Sequence, residues 1–273
     1  MTTDFHTHAF PAGIAQKALT ELSGGILLNS GTVVFPSTDG SYQGLVSEAE
    51  ANGIGRSVVL PVATRPGQAD GINRHAREAE RASGGRIVCF AAAHPADPEP
   101  ERTCDRLAEE GFRGIKLHPE FQREFFDGDA TLRLLRAARD AGLCVVTHAG
   151  ADIGLPPPVH CEPERIARVI ERVPGLALVA AHLGGWMMWD RVASFLCGLP
   201  LYFDTAFLSG YADPGTVRDV ISAHGAEKVL FGSDSPWESP GRTLALLRSA
   251  GLGAEEEKAI LSENAEKILR RQK

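Results

Sequence analysis

Two histidines separated by one residue, His6 and His8, stand near the start of this 273-residue chain, and His148, His182 and Asp234 follow at wide intervals. Each closes a short apolar run, in FHTH, LCVVTHAG, LALVAAH and KVLFGSD. Imidazole nitrogens and carboxylate oxygens are donors that borderline divalent metals such as zinc accept. A barrel enzyme gathers such donors at the ends of successive strands, on its open face. The expected chemistry is metal-dependent, with His6, His8, His148 and Asp234 as ligands and one position left for water or substrate. HxH alone is a weak signal. Its bland alternative is a set of hydrogen-bonded histidines lining a pocket, and the three later strand-end residues outweigh it.

Further candidates surround this set. His182 reads as a catalytic residue, a base or electrostatic partner to metal-bound water; the alternatives are a ligand of a second metal or a residue that only orients a ligand. Asp234 can bind metal through one oxygen and take a proton from attacking water through the other. Lys116 and His118 share one face of a strand and suit a substrate carboxylate. Asp152 and His160 lie on a loop stiffened by Pro156, Pro157 and Pro158, and Arg65 follows the second strand. Arg65, Asp152 and His160 are expected to contact substrate; the plain readings are an exposed loop arginine and a turn-capping aspartate. His94 ends an apolar strand, whereas His75 and His224 fall within or near helices and read as surface residues. Trp186, Trp189 and Trp237 fall near mouth loops, with core packing as the default.

Positioning these residues requires strands that end at one place. From about residue 54 short apolar segments alternate with helical ones, and with the opening TTDFHTHA they make eight candidate strands. Parallel strands need helical crossovers, which favours one closed barrel. Side chains alternate along a strand, so His6 and His8 should face one way and Phe5 and Thr7 the other. By the same parity His182 should share a face with Ala180 and Leu178, and Asp234 with Gly232 and Leu230. Asp129 is placed to cap a helix starting near Ala130, Gly142 to end it, and Pro163 fits a first helical turn. Residues 10–50 read as a loop or small insertion near the barrel mouth, containing a helix-like AQKALTEL and a VVF strand. Residues 256–270 read as a C-terminal helical extension broken near Ser262. A doubly wound open sheet is the rival, but no GxGxxG follows a strand.

Length and composition agree with one domain over residues 1–273, since an α/β barrel takes roughly 250 residues. A net charge of −7 argues against nucleic acid or an anionic membrane as partner. Five cysteines without a CxxC pair read as buried thiols in a reducing compartment. The N-terminus lacks a basic-then-apolar leader and no run approaches the roughly 20 apolar residues of a membrane span. The expectation is a soluble cytoplasmic protein acting on a small molecule, with a homodimer left open.

Taken together, DFHTH, GFRGIKLHP, VVTHAG, LALVAAHLGG and FGSDSPW, in this order over nearly the whole chain, resemble the amidohydrolase superfamily. The likeness is to its amidohydrolase-related group of metal-dependent hydrolases and decarboxylases. The resemblance implies an α/β fold, a distorted (β/α)8 TIM barrel with a small N-terminal loop insertion. It also implies one divalent metal, zinc first and manganese second, held by His6, His8, His148 and Asp234, with His182 assisting catalysis. Lys116 sits where binuclear relatives carry a bridging lysine, which leaves a second metal open, but His118 in KLHP complicates that transfer and one metal is favoured. The expected activity is hydrolysis of a small, carboxylate-bearing cyclic ester or amide by metal-activated water. The alternative is non-oxidative, metal-dependent decarboxylation of a small aromatic or unsaturated acid. The rivals are a metal-stabilised binding protein with a closed coordination shell and a two-metal phosphoesterase.

Overall fold

The computed structural model describes residues 1–270. Its strands are β1 (Thr3–Thr7), β2 (Arg56–Val59), β3 (Ile87–Cys89), β4 (Ala91–Ala92), β5 (Gly114–Leu117), β6 (Cys144–Thr147), β7 (Leu178–Ala180), β8 (Tyr202–Asp204) and β9 (Val229–Leu230). Every ladder is parallel, in the order β1-β2-β3 and β4-β5-β6-β7-β8-β9. Only Phe90 separates β3 from β4, and its N–H donates to Val59 O, so the two form one strand position. The ring closes beyond β9: Phe5 N–H donates to Phe231 O at 2.7 Å, Asp234 N–H to His6 O at 2.8 Å and His8 N–H to Ser235 O at 2.6 Å. The result is the expected distorted (β/α)8 barrel.

Parallel neighbours are joined by helices because a crossover must return the chain to the same edge. The helices are α1 (Ala12–Ser30), α2 (Tyr42–Ala51), α3 (Ala69–Ala82), α4 (Pro100–Glu109), α5 (Pro119–Gln122), α6 (Asp129–Asp140), α7 (Pro163–Arg172), α8 (Trp189–Phe195), α9 (Pro214–His224) and α10 (Pro240–Ser249). Helix α7 shows the local logic. Pro163 opens it, where a missing N–H costs nothing, and Ile166 and Val169 are buried three residues apart on one face. Helix α6 starts at Asp129 itself, after Gly128, with no side-chain cap, and Gly142 follows it in the left-handed region at φ 73°.

Two apolar layers result. Val59, Ile115, Leu117, Val145, Leu178, Ala180, Phe203 and Phe231 pack outward against the helices. Phe5, Val58, Leu60, Phe90, Cys144, Val146, Val179 and Leu230 fill the barrel. The C-terminal extension plugs the end at which the strands begin. It comprises α11 (Ala254–Lys258), a π-helical turn (Ala259–Glu263) and α12 (Asn264–Leu269). Ala265, Ile268 and Leu269 join the inner layer, and Asn264 donates to the carbonyls of Ala226 and Val229. The break expected near Ser262 is this wide turn. With that end sealed, the strand C-termini form the open mouth.

Four expectations need correction. Within residues 10–50 the helix-like AQKALTEL lies in the longer α1, α2 follows it, and Val33–Phe35 form no strand. Helix α1 reaches the loop after β6, where Asn29 donates to Ile153 O. Phe5 faces inward, not away from the histidines, because β1 carries an irregularity between Asp4 and Thr7, where the register against β2 shifts. Leu178 and Ala180 face outward, so strand parity does not deliver His182. Finally, His224 is buried, 2% exposed, and lies against Phe203 at 3.8 Å between ring centroids. Among the described residues no helix is long and apolar enough to cross a membrane.

His224 Nε2–H donates to Leu201 O, and Nδ1 accepts from Gly198 N–H, so the neutral ring satisfies both partners. Burial, then the Lys228 charge, lowers its pKa from 6.5 to about 4. The unfolded chain therefore takes up a proton below pH 6.5 that the folded chain refuses until about pH 4. Stability from this group is complete above pH 6.5 and is lost as the pH falls toward 4. Between pH 7.5 and pH 5 the loss should be about 2 kcal/mol, and urea unfolding of His224→Gln should show a pH dependence smaller by that amount. An identical pH dependence in variant and wild type would refute this account.

Candidate metal centre

The irregularity in β1 turns His6 and His8 toward the mouth, one after the other. Their Nδ1 atoms meet oxygens: His6 Nδ1 lies 2.7 Å from Asp204 Oδ2, and His8 Nδ1 lies 3.0 Å from Leu60 O. A carbonyl or ionised carboxylate can only accept, so both Nδ1 atoms carry the ring hydrogen. In the neutral rings both Nε2 atoms then present lone pairs toward one carboxylate, and that of His6 also lies within reach of Lys116 Nζ. Asp234 Oδ1 is 3.0 Å from His8 Nε2 and 3.5 Å from His6 Nε2. One donor atom from each of the three residues falls within 4.8 Å of the others. Two lone pairs facing a carboxylate repel unless positive charge lies between them, and a divalent cation is what such a donor set accommodates.

Asp234 reaches this point with a left-handed backbone, φ 72°, fixed by its N–H bond to His6 O. Burial would raise its carboxyl, but the imidazoles of His8, His6 and His182 around it hold it well below the usual carboxylate range. Burial pushes His6 the other way, to about 4, aided by Lys116, so His6 is a neutral donor. Lys116 Nζ lies 3.2 Å from His6 Nε2 with the side chain buried. Burial lowers this ammonium to about 8 against the opposing pull of Asp204 and Asp234.

A second group adjoins the first. His148, His118 and Asp152 also bring donor atoms within 4.8 Å of one another. His118 Nδ1 accepts from Phe121 N–H at 3.4 Å, which leaves Nε2–H facing Asp152 Oδ2, also at 3.4 Å. The His118 and His148 rings stack at 4.3 Å. His182 links the two groups, with ring centroids 5.2 Å from His6 and 4.7 Å from His148. Its Nδ1–H donates to Ala206 O, so its Nε2 is a lone pair facing His148 Nδ1 at 3.0 Å. His148 Nε2 lies 3.1 Å from Ala151 O. A neutral His148 has one ring hydrogen for these two acceptors. Burial, then the neighbouring His182 and Lys116, hold its pKa well below 6.5, so no second proton is recruited. One of its nitrogens is therefore left as a lone pair facing another acceptor.

Backbone geometry places His182. The chain leaves β7 after Ala180, and His182 and Leu183 take φ values of 58° and 57°. Such left-handed residues cost of order 1 kcal/mol each and persist only when neighbours fix them. His182 N–H donates to Asp204 Oδ1 and Leu183 N–H to Asp204 O. Opposite, Gly150 at φ 83° lies so near Trp186 N that a β-carbon would collide with it. Glycine is the residue that lets the loops after β6 and β7 meet.

Of the residues expected to contact substrate, Lys116, His118 and Asp152 come together with the histidines. Burial raises Asp152 to about 6. Arg65 lies exposed on the loop after β2, and His160 packs against Phe125 at 4.8 Å, aside from the group. His94 is buried, and its Nδ1 accepts from Ala96 N–H. Two buried acids had escaped notice. Asp204 ends β8 beside His6 and His182, signalled by an acid that interrupts the apolar LYFDTAF. Glu120 in α5 accepts from His160 N–H and Cys161 N–H, and burial raises it to about 7.

Known proteins share this architecture. A family model described as amidohydrolase matches residues 3–271. No curated protein matches in sequence. Among solved structures, an uncharacterized TIM-barrel protein from Bordetella bronchiseptica aligns at TM-score 0.76 and 18% identity, over 98% of each chain. A 5-carboxyvanillate decarboxylase from Novosphingobium aromaticivorans, complexed with manganese and 4-hydroxy-3-methoxy-5-nitrobenzoic acid, aligns at 0.72 and 16%, over 99% of this chain and 96% of that one. A putative 2-pyrone-4,6-dicarboxylic acid hydrolase from Pseudomonas putida aligns at 0.68 and 18%, over 98% and 97%. These likenesses establish the barrel, and the family model running from the first strand to the last helix establishes the kinship: the chain belongs to the amidohydrolase family, within the TIM-barrel superfamily of metal-dependent hydrolases and decarboxylases.

Proposed function

We propose that the protein is a non-oxidative, metal-dependent decarboxylase of a small aromatic or unsaturated carboxylic acid. The observation that carries this reading is the carboxylate-and-imidazole trio of His6, His8 and Asp234 beside flat rings. His118 stacks on His148 and lies 4.2 Å from Phe121, while Trp186, Phe207 and Tyr211 pack together just beyond His182 and Ala206. Such walls suit a planar acid. The likeness to a decarboxylase that binds manganese and a substituted benzoic acid supports the same reading and sets manganese beside zinc as the metal. Hydrolysis of a cyclic ester or amide, the first expectation from sequence, is the second reading, supported by the likeness to the putative pyrone-dicarboxylic acid hydrolase.

His6, His8, Asp234 and His148 would hold the cation. When bound, it supplies a positive centre for the substrate's oxygens and draws electron density from the reacting carbon. The Lys116 charge attracts an anionic acid into the mouth. His182 is placed to hold a proton at Nε2, since its Nδ1–H is committed to Ala206 O. Burial lowers its pKa, so a proton on that nitrogen is readily given to a ring or vinylic carbon. The carbon–carboxylate bond then breaks, its electron pair restores the unsaturated system, and CO2 leaves.

Purified without added metal or chelator, the wild-type protein should carry close to one divalent ion per chain, and His148→Ala should lose it, as read by elemental analysis. Close to two ions per chain, or full retention by the variant, would overturn this ligand set. In a panel of hydroxybenzoic and unsaturated acids, wild type should release CO2. His182→Asn should lower kcat by about 10²–10⁴-fold with metal content unchanged. Acid release from lactones, without CO2 from any acid, would establish hydrolysis instead.

A further inference from the structure

Asp204 is fully buried beside His6 and His182, yet it belongs to neither donor group. Its two oxygens are divided between two tasks. Oδ2 takes the Nδ1–H of His6 at 2.7 Å. Oδ1 takes the N–H groups of His182 and Ala206 at 2.9 and 3.1 Å. The first contact decides which His6 nitrogen carries hydrogen. The second pins the backbone of His182 at the left-handed residue from which its ring reaches the site. Ala206, held by the same oxygen, offers the carbonyl that fixes His182 Nδ1–H.

We infer that Asp204 is a positioning residue that sets the His6 tautomer, keeping the Nε2 lone pair open to metal, while aiming His182 from the same carboxylate. This rests on the reading of His6 as a metal ligand. A carboxylate beside a ligating imidazole fixes its tautomer and orientation and raises its basicity, and losing such a partner costs about 10–100-fold in metal affinity. Here the partner comes from β8, two strand positions from β1 across the closing strand β9.

Asp204→Asn provides the test because it preserves size and reverses one hydrogen bond. The amide oxygen can keep the two backbone N–H donors, which leaves the NH2 group facing His6 Nδ1. That nitrogen must then accept, so the ring hydrogen moves to Nε2 and blocks the lone pair. Co2+ titration followed by visible absorption should show affinity reduced about 10–100-fold, with the thermal midpoint of the metal-free protein close to wild type. Nitrogen-15 NMR of histidine-labelled, metal-free wild type supplies a readout that does not depend on the variant folding: His6 should carry its hydrogen on Nδ1. A His6 hydrogen on Nε2 in wild type, or wild-type Co2+ affinity in a folded Asp204→Asn, would overturn the inference while leaving the metal centre standing. Failure of wild type itself to bind Co2+ would overturn the metal-centre reading and this inference with it.

Discussion

Backbone closure between the last strand and the first is the constraint on which the mouth depends. Asp234 N–H bonds to His6 O, and His8 N–H bonds to Ser235 O, so the carboxylate and both imidazoles are placed by the same ladder that seals the barrel. Side chains reinforce it: Asp4 accepts from Ser233 Oγ and N–H, and Ser235 Oγ donates to Glu48. Burial raises Asp4 to about 7, while those donors oppose the shift. Any slip along this edge would separate the carboxylate from both imidazoles.

Charge inside the barrel is the second organising fact. Burying an isolated carboxylate costs several kcal/mol unless it is paired and hydrogen-bonded. Asp204 meets that demand with His6, His182 N–H and Ala206 N–H, and the nearby Lys116 charge adds to it. Burial alone would raise its carboxyl, but the hydrogen bond from His6 Nδ1–H and the nearby Lys116 charge bring it to about 2. Neutral imidazoles and ionised carboxylates therefore coexist within a few ångströms. That is the protonation pattern a cation-binding site requires, and it is present in the protein groups themselves.

Much of this was legible in the sequence. The five residues that open the argument each interrupt an apolar run, which is costly unless the polar group has work at a strand end, and all five converge. The barrel was legible from alternation, and the C-terminal extension from its helical pattern. Other features leave no such mark. The irregularity in β1 is a backbone event with no glycine to announce it, so strict alternation misplaced Phe5. His182 reaches the site through a left-handed turn that parity cannot anticipate. Asp204 did carry the signal, an acid inside LYFDTAF, but its partner lies 198 positions away. Arg65 had only adjacency to a strand, and the loop carries it outward.

The closing seam also bears on how the protein is made. His6 precedes Asp234 by 228 residues, so every intervening strand is synthesised between them. A nascent chain can form β1 through β8 and still lack the carboxylate that joins the two histidines. The trio is thus brought together only once the last strand has closed on the first.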